Sequence, residues 1–296
     1  MTAPTAAALA SRRRTLAASR KRHPRKVPRP DAPTAVASSY ALALSALLKP
    51  LDEALREALA AEGLSELTGG VAGRADAQGD APSVPASPAT ASPTPAAVKR
   101  VQRAVTKAAR DLTGSRALSS AMERAAKAAD SHSRAQWSAQ AEALGLDVTG
   151  DDLFLSARMA GFRKENLGLI RSLCAEHVKR VGKVLRENAG ARVETIAREL
   201  QEATGASKAR AQLIARDQVL RASAQLTRDR HEAAGITEYV WRTSRDQRTR
   251  KNHKRLEGTR QKYSDPPVVD PVTGRRAHAG QDYQCRCSAE PILPEN

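Results

Sequence analysis

Apolar residues recur along most of this chain at spacings of three and four, the mark of helices with one buried face. Leu44, Leu48, Leu51, Leu55 and Leu59 form the first stripe, within about 36–62, and Pro50 is expected to kink that helix or split it at Lys49. Helix resumes at Val98 with Val101, Val105, Ala108 and Leu112 on one stripe, up to an expected break at Thr113-Gly114. Leu118, Met122 and Ala125 predict a further helix. Trp137, Ala141 and Leu144 predict another, ended by Gly145 and Gly150, with Asp151 or Asp152 placed to cap the next element. The clearest helix runs over about 164–188, with Leu167, Ile170, Cys174, Val178, Val181 and Leu185 on one face and Gly190 past its end. Cys174 reads as a small core residue and His177 as a surface or boundary one. A short helix over 193–200 is expected to stop at Thr204-Gly205. Ser207 then caps a last long helix reaching Ala234, with Gly235 just beyond it.

The period changes after Gly235. Tyr239, Val240, Trp241 and Thr243 suit a strand on a small core, and Ser244 and Asp246 suit a cap. Two helical turns would come next, placing Asp246, Arg250 and His253 on one face, with Leu256 tucked inward and Gly258 ending the helix. Beyond them lie turn signals at Pro266-Pro267, Asp270-Pro271 and Thr273-Gly274, a short strand at Val268-Val269, and a close run of His278, Gly280, Asp282, Tyr283, Cys285, Arg286 and Cys287. The predicted fold is therefore mainly α: an elongated helical body with a basic disordered N-terminal tail and a small α+β C-terminal module. Its segments are a tail at 1–34, a helical segment at 35–67, a Pro/Ala/Ser linker at 68–97, a helical body at 98–234 and the module at 235–296.

Composition sharpens this picture. Two Phe, two Trp and four Tyr in 296 residues leave alanine to supply most of the apolar count, which favours thinly packed helices over a large globular core. The formal charge of +17 attracts phosphate backbones or acidic proteins. Arg12, Arg13, Arg14, Arg20, Lys21, Arg22, Arg25 and Lys26 concentrate that charge in the tail, where prolines at 24, 28, 30 and 33 forbid regular helix. Such a block reads as a nucleic-acid arm or as a solubilising terminus. No apolar run approaches the ~20 residues that span a bilayer, and no apolar segment succeeds the basic start as a secretory signal requires. Three cysteines make no disulfide framework, as in a protein that folds in a reducing cytoplasm.

Three chemistries compete for the C-terminal residues. Cys285 and Cys287 with His253 and His278 would make a Cys₂His₂ zinc set, although Cys-x-Cys is a weaker zinc pattern than Cys-x-x-Cys. Alternatively the cysteines sit on a short strand or bend, one facing the core, while Arg286 points out to an acid such as Asp246. A third reading makes His253 and Asp246 an acid-base pair of a metal-dependent nuclease or hydrolase, but no second carboxylate cluster or nucleophile accompanies them.

The order of these residues resembles the phage Mu F-like (phage head morphogenesis) family of minor head proteins. The family pattern runs loosely Gly-Ile, Trp, Asp-x-Arg-Thr-Arg-x-x-His-x-x-Leu-x-Gly, then Cys-Arg-Cys. Gly235-Ile236, Trp241, Asp246, Arg248, Thr249, Arg250, His253, Leu256, Gly258, Cys285, Arg286 and Cys287 match it in order. Ile214-Ala215-Arg216 also fits, but Asp217-Gln218 stands where the family has Thr-Glu, and Ala279 where it has proline. The resemblance covers about the last ninety residues. It implies a non-enzymatic minor head protein in the phage head, at the portal vertex, with portal protein, other head proteins and packaged double-stranded DNA as partners. It implies neither a membrane nor a small-molecule substrate. Some relatives carry a toxin domain after the family domain; none is expected nine residues past Cys287. A plain basic nucleic-acid-binding protein is the remaining alternative.

Overall fold

A computed structural model describes residues 27–68, 92–146 and 153–293, and among them the chain is mainly helical with a small strand module near its C-terminus. Pro50 splits the first leucine stripe as expected. Helix α1 covers Thr34–Leu47 and α2 Lys49–Ala61, with the proline in the first turn of α2, where its missing N–H forfeits no bond. Helix α3, Pro95–Gly114, starts from the Thr94 side chain, whose oxygen accepts from the Ala97 N–H at 3.1 Å. Ser115 then starts α4, Arg116–Leu144, by accepting from the Leu118 N–H at 3.1 Å. The basic tail residues, most of the linker, Asp151 and Asp152 lie outside the described residues.

Two expected breaks are absent. Helix α4 is one element of 29 residues, not two. The apolar stripe lapses in its middle because Asp130 and Ser133 are buried polar residues there, and no glycine or proline interrupts the backbone. Helix α5 covers Leu153–Glu187, and α6 runs unbroken through Gly205 over the 41 residues Val193–Ala233. Strong helix formers on both sides outweigh the cost of about 1 kcal/mol that one interior glycine carries. Ser207 is thus no cap. Its hydroxyl donates to the Ala203 carbonyl at 3.0 Å and lies 3.0 Å from Nδ1 of His177, which is buried, not a boundary residue. Helix α6 does end at Gly235 (φ 79°): Ile236 N–H donates to His231 O at 2.9 Å and Gly235 N–H to Glu232 O at 3.0 Å.

The chain divides into two compact units that cut across the order of the sequence. One comprises 41–120 and 166–214. Its core gathers Leu55 and Leu59 of α2, Val98, Val101 and Val105 of α3, Val181 and Leu185 of α5, and Ile196 and Leu200 of α6. Lys208 reaches Asp52 at 2.9 Å on its surface. Cys174 is buried, as expected. The sequence expectation about membrane-length runs needs one correction: by length and composition alone, Thr34–Ala61 could cross a membrane. Its Leu51, Leu55 and Leu59 are nevertheless buried, the latter two in this helical core.

The other unit comprises 1–40, 121–165 and 215–296. Strands β1 (Glu238–Arg242), β2 (Arg260–Lys262) and β5 (Ser288–Ile292) form an antiparallel sheet in the order β2-β1-β5; β3 (Val268–Asp270) pairs β4 (Arg275–Arg276). Helix α7, Lys251–Leu256, sits between β1 and β2. The register sets Tyr239 opposite Pro291 and Trp241 opposite Ala289, so Tyr239, Trp241 and Ala289 point into one core with Tyr263 and Val269. Pro291 is tolerated because β5 is an edge strand. Residues 27–33 run along this unit: Arg29 donates to the Thr243 carbonyl at 2.7 Å, and the Ser288 hydroxyl to the Pro30 carbonyl at 3.3 Å. Buried Arg230 pairs with Asp130 and donates to the Ser133 hydroxyl at 2.8 Å. Next to it His231 packs on Trp137 and Tyr263 at ring separations of 5.1 and 5.9 Å, its Nδ1 2.7 Å from the Tyr263 hydroxyl.

Two measurements test this account of the helices. Gly205 is exposed and helical, and a Cβ there meets nothing within 4 Å. Gly205→Ala is therefore expected to raise the unfolding free energy by about 0.5–1 kcal/mol in urea titrations. Burial, with the Arg230 charge as a lesser cause, pushes the His231 pKa from 6.5 down to about 3. The unfolded chain takes up this proton near pH 6.5 and the folded chain only near 3, so the stabilisation is full above 6.5 and is lost as pH falls toward 3. The melting temperature should drop across that window, and the drop should be shallower in His231→Gln; parallel curves would rule His231 out as the titrating group.

Candidate functional site

The strand β1 ends in a tightly tied corner. Gly258 (φ 77°) donates its N–H to the Trp241 carbonyl at 2.9 Å, and the buried Trp241 ring lies edge-on to His253 at 5.6 Å. The Glu257 carboxylate accepts from the Thr243 N–H and hydroxyl at 2.6 and 2.7 Å, and from Arg245 at 3.0 Å. Burial works against its charge, but those Thr243 and Arg245 donors outweigh it and hold the pKa at about 2. Leu256 leans half-buried on the same core.

Asp246 does not share a helix face with Arg250 and His253. Helix α7 starts only at Lys251, with Arg250 in extended backbone as its N-cap, so Asp246 sits in the turn before it. There its carboxylate accepts from the Thr249 hydroxyl at 3.1 Å and the Ser244 hydroxyl at 3.3 Å, while Arg286 clamps its other oxygen. The Arg286 contact is the chief cause of an Asp246 pKa lowered to about 2. Arg248 is exposed.

Arg250 and His253 converge instead on Asp282, a residue to which the sequence pattern assigns no role. Its Oδ2 accepts from Arg250 Nη1 at 2.9 Å and His253 Nε2 at 3.0 Å, and Arg275 Nε lies 3.0 Å from Oδ1 as an ion pair. Asp282 is 1% exposed at its side chain, and Arg250 also donates to the Tyr283 carbonyl at 2.7 Å. The acceptor on Nε2 directs the other imidazole nitrogen, Nδ1, at the cysteines: Cys285 Sγ and Cys287 Sγ each lie 3.5 Å from it. Among the described residues these three side chains form the one group of histidine, cysteine and acid donors close enough to share an ion, every pair within 4.8 Å.

The Cys-Arg-Cys segment turns both sulfurs inward, where one was expected in the core, and Arg286 outward. The preceding bend is fixed by Gln284 (φ 51°), whose N–H donates to Asp217 Oδ1 at 2.8 Å. Asp217, which departs from the family pattern, thus has a structural part that spacing alone gave no means of finding. Hydrogen bonding from Cys287 and His253 pulls the Cys285 thiol well below its usual pKa, and the same contact drives Cys287 upward. Burial opposes charge on His253, but Cys285 and Asp282 outweigh it and raise its pKa.

His278 is not the fourth member of this set. Its Nδ1 is 3.1 Å from the Tyr239 hydroxyl, its ring meets Tyr239 and Tyr263 edge-on, and burial lowers its pKa to about 4. His278 thus belongs to the tyrosine cluster, and His253 to the cysteines.

Gly280 (φ 81°) carries the chain into the site. A Cβ there would lie 2.7 Å from Ala224 Cβ and 3.0 Å from the Cys287 carbonyl. Gly280→Ala combines a left-handed backbone with backbone overlap, so it should lower stability by about 2 kcal/mol or more. A denaturant midpoint equal to that of the unaltered chain would contradict this packing.

Comparison with known proteins agrees with the residue pattern. Residues 179–290 match the family model described as Phage Mu protein F like protein. An uncharacterized protein of Haemophilus influenzae (strain Rd) is 32% identical over 133 residues, 44% of this chain and 28% of that relative. This chain therefore spans less than a third of the length of that curated relative. No solved structure matches. The segment carrying Trp241, Asp246, Arg250, His253 and the Cys-Arg-Cys turn lies within the region that is similar to the Phage Mu protein F like family.

Proposed function

We propose that this chain is a minor head protein of a tailed phage or prophage, acting in head morphogenesis and in DNA packaging or delivery, with portal protein, other head proteins and packaged DNA as its partners. The observation that carries the reading is the match over 179–290, in which the motif residues Asp246, Arg250, His253 and Arg286 interlock in one site. The family pattern, on this reading, encodes a fold lock: Asp246 with Arg286, Asp282 with Arg250 and His253, and Trp241 against His253. Both sulfurs and the imidazole are buried, which suits a structural element better than one that meets substrate. The net charge of +17 and the basic residues of 1–26 supply an attraction to duplex DNA that needs no base reading. The protein works inside the virion on this account, without turnover.

Disrupting the gene in its phage or prophage should leave incomplete or DNA-free heads, and intact particles should contain few copies of the chain. DNA-filled infectious heads lacking the chain would overturn the reading. The purified full-length protein should bind duplexes of unrelated sequence equally well, with affinity falling steeply between about 50 and 200 mM salt. Removing residues 1–34 should flatten the plot of log affinity against log salt by roughly 0.9 for each lost phosphate contact. An unchanged slope would overturn the assignment of the tail to DNA.

A further inference from the structure

We propose that His253, Cys285 and Cys287 bind one zinc ion, through the histidine Nδ1 and the two thiolates. In a tetrahedral zinc site with Zn–N near 2.0–2.1 Å and Zn–S near 2.3 Å, the nitrogen-to-sulfur edge is about 3.6 Å. Both Nδ1-to-Sγ separations here are 3.5 Å, and all three donor atoms lie within 4.8 Å of one another. Three residues from two separate parts of the chain are thus already spaced as ligands. The donor set is soft and nitrogenous, which suits zinc and not magnesium or calcium.

The surroundings do what the outer shell of a zinc site does. Asp282 accepts from His253 Nε2 at 3.0 Å, which fixes the tautomer and leaves Nδ1 free to donate its lone pair. Arg250 holds Asp282 in turn at 2.9 Å, and Trp241 fixes the plane of the imidazole. The Cys287 N–H donates to Cys285 Sγ at 3.4 Å, a contact that stabilises a ligating thiolate. Charge also balances: two thiolates and a neutral imidazole cancel a divalent cation at a place where both sulfurs are buried. On binding, each thiol gives up its proton to solvent and each sulfur lone pair forms a bond to the metal. A disulfide between the two cysteines is disfavoured by their one-residue spacing, and both are free. The three ligands line a cleft of about 450 Å³ together with Arg216, Arg248 and Arg286, which leaves the fourth position of the tetrahedron to a ligand from outside the three.

The test is metal analysis of the full-length protein purified without chelator or affinity metal, then titrated with zinc alone. About one zinc per chain is expected in the unaltered protein and in Cys174→Ser, whose sulfur lies outside the group. Cys285→Ser and Cys287→Ser should lose it, and Asp282→Asn should weaken zinc binding by roughly 10- to 100-fold while keeping the stoichiometry. A lost cysteine can also unfold the region, so cobalt(II) replacement in the unaltered protein gives a second readout. Visible bands of a tetrahedral thiolate complex, with the sulfur-to-cobalt charge-transfer absorption, are expected. A folded protein that takes up no zinc, or a cobalt spectrum without thiolate charge transfer, would overturn the proposal. Either failure would leave the head-assembly reading standing, because that reading does not depend on metal.

Discussion

One buried carboxylate holds the C-terminal site in shape. Asp282 faces Arg250, His253 and Arg275, with its side chain almost wholly removed from water. A buried acid is tolerable only when cations and donors surround it, and removing one partner leaves the others charged and stranded. The three partners come from the α7 cap, from α7 itself and from β4, so the acid ties the turn before Cys285 to both sides of the strand module. The orientation of His253, and hence of Nδ1 toward the sulfurs, depends on this anchor. Asp246 and Arg286 form a second, more exposed tie across the same turn.

The fold was legible where a local rule decides. Pro50 marked the break between α1 and α2, Gly235 marked the end of α6, and the alternation from Tyr239 to Trp241 marked β1. It was not legible where tertiary contacts decide. The lapse of apolar residues around Asp130 reads as the boundary between two helices, yet it is a buried ion pair with Arg230 a hundred residues away. Gly205 reads as a stop, yet a helix of 41 residues absorbs it. Strand β5 was hidden because Ser288, Glu290 and Pro291 are poor strand formers; an edge position next to β1 makes them acceptable.

The candidate site shows the same division. Helical spacing put Asp246, Arg250 and His253 on one face, because i, i+4, i+7 is all a sequence can offer. In three dimensions the acid belongs to Arg286, and the other two belong to Asp282. The outward pairing of Arg286 with Asp246 was readable from its charge, but the burial of both flanking cysteines was not, since only one was expected in the core. The exclusion of His278 was not, because only the Tyr239 and Tyr263 rings, distant in sequence, show where it sits. The scarce aromatics are also unevenly spent: Tyr239, Trp241, Tyr263 and Trp137 all serve the unit that holds the site.

The strap formed by residues 27–33 has a consequence for synthesis. Arg29 bonds to Thr243 across 214 positions, and Pro30 to Ser288 across 258. As the chain leaves the ribosome, α4 is the first partner to reach this segment, with Gln136 donating to the Asp31 carbonyl at 2.8 Å and Gln140 to the Pro28 carbonyl at 3.2 Å, while the Thr243 and Ser288 contacts must wait for the strand module. Helices α2 and α3 can meet early, but full closure of the strap must wait until Ser288 has been made. The segment is thus held in two stages, first by a helix made midway and last by the strand module, at positions 214 and 258 residues further on.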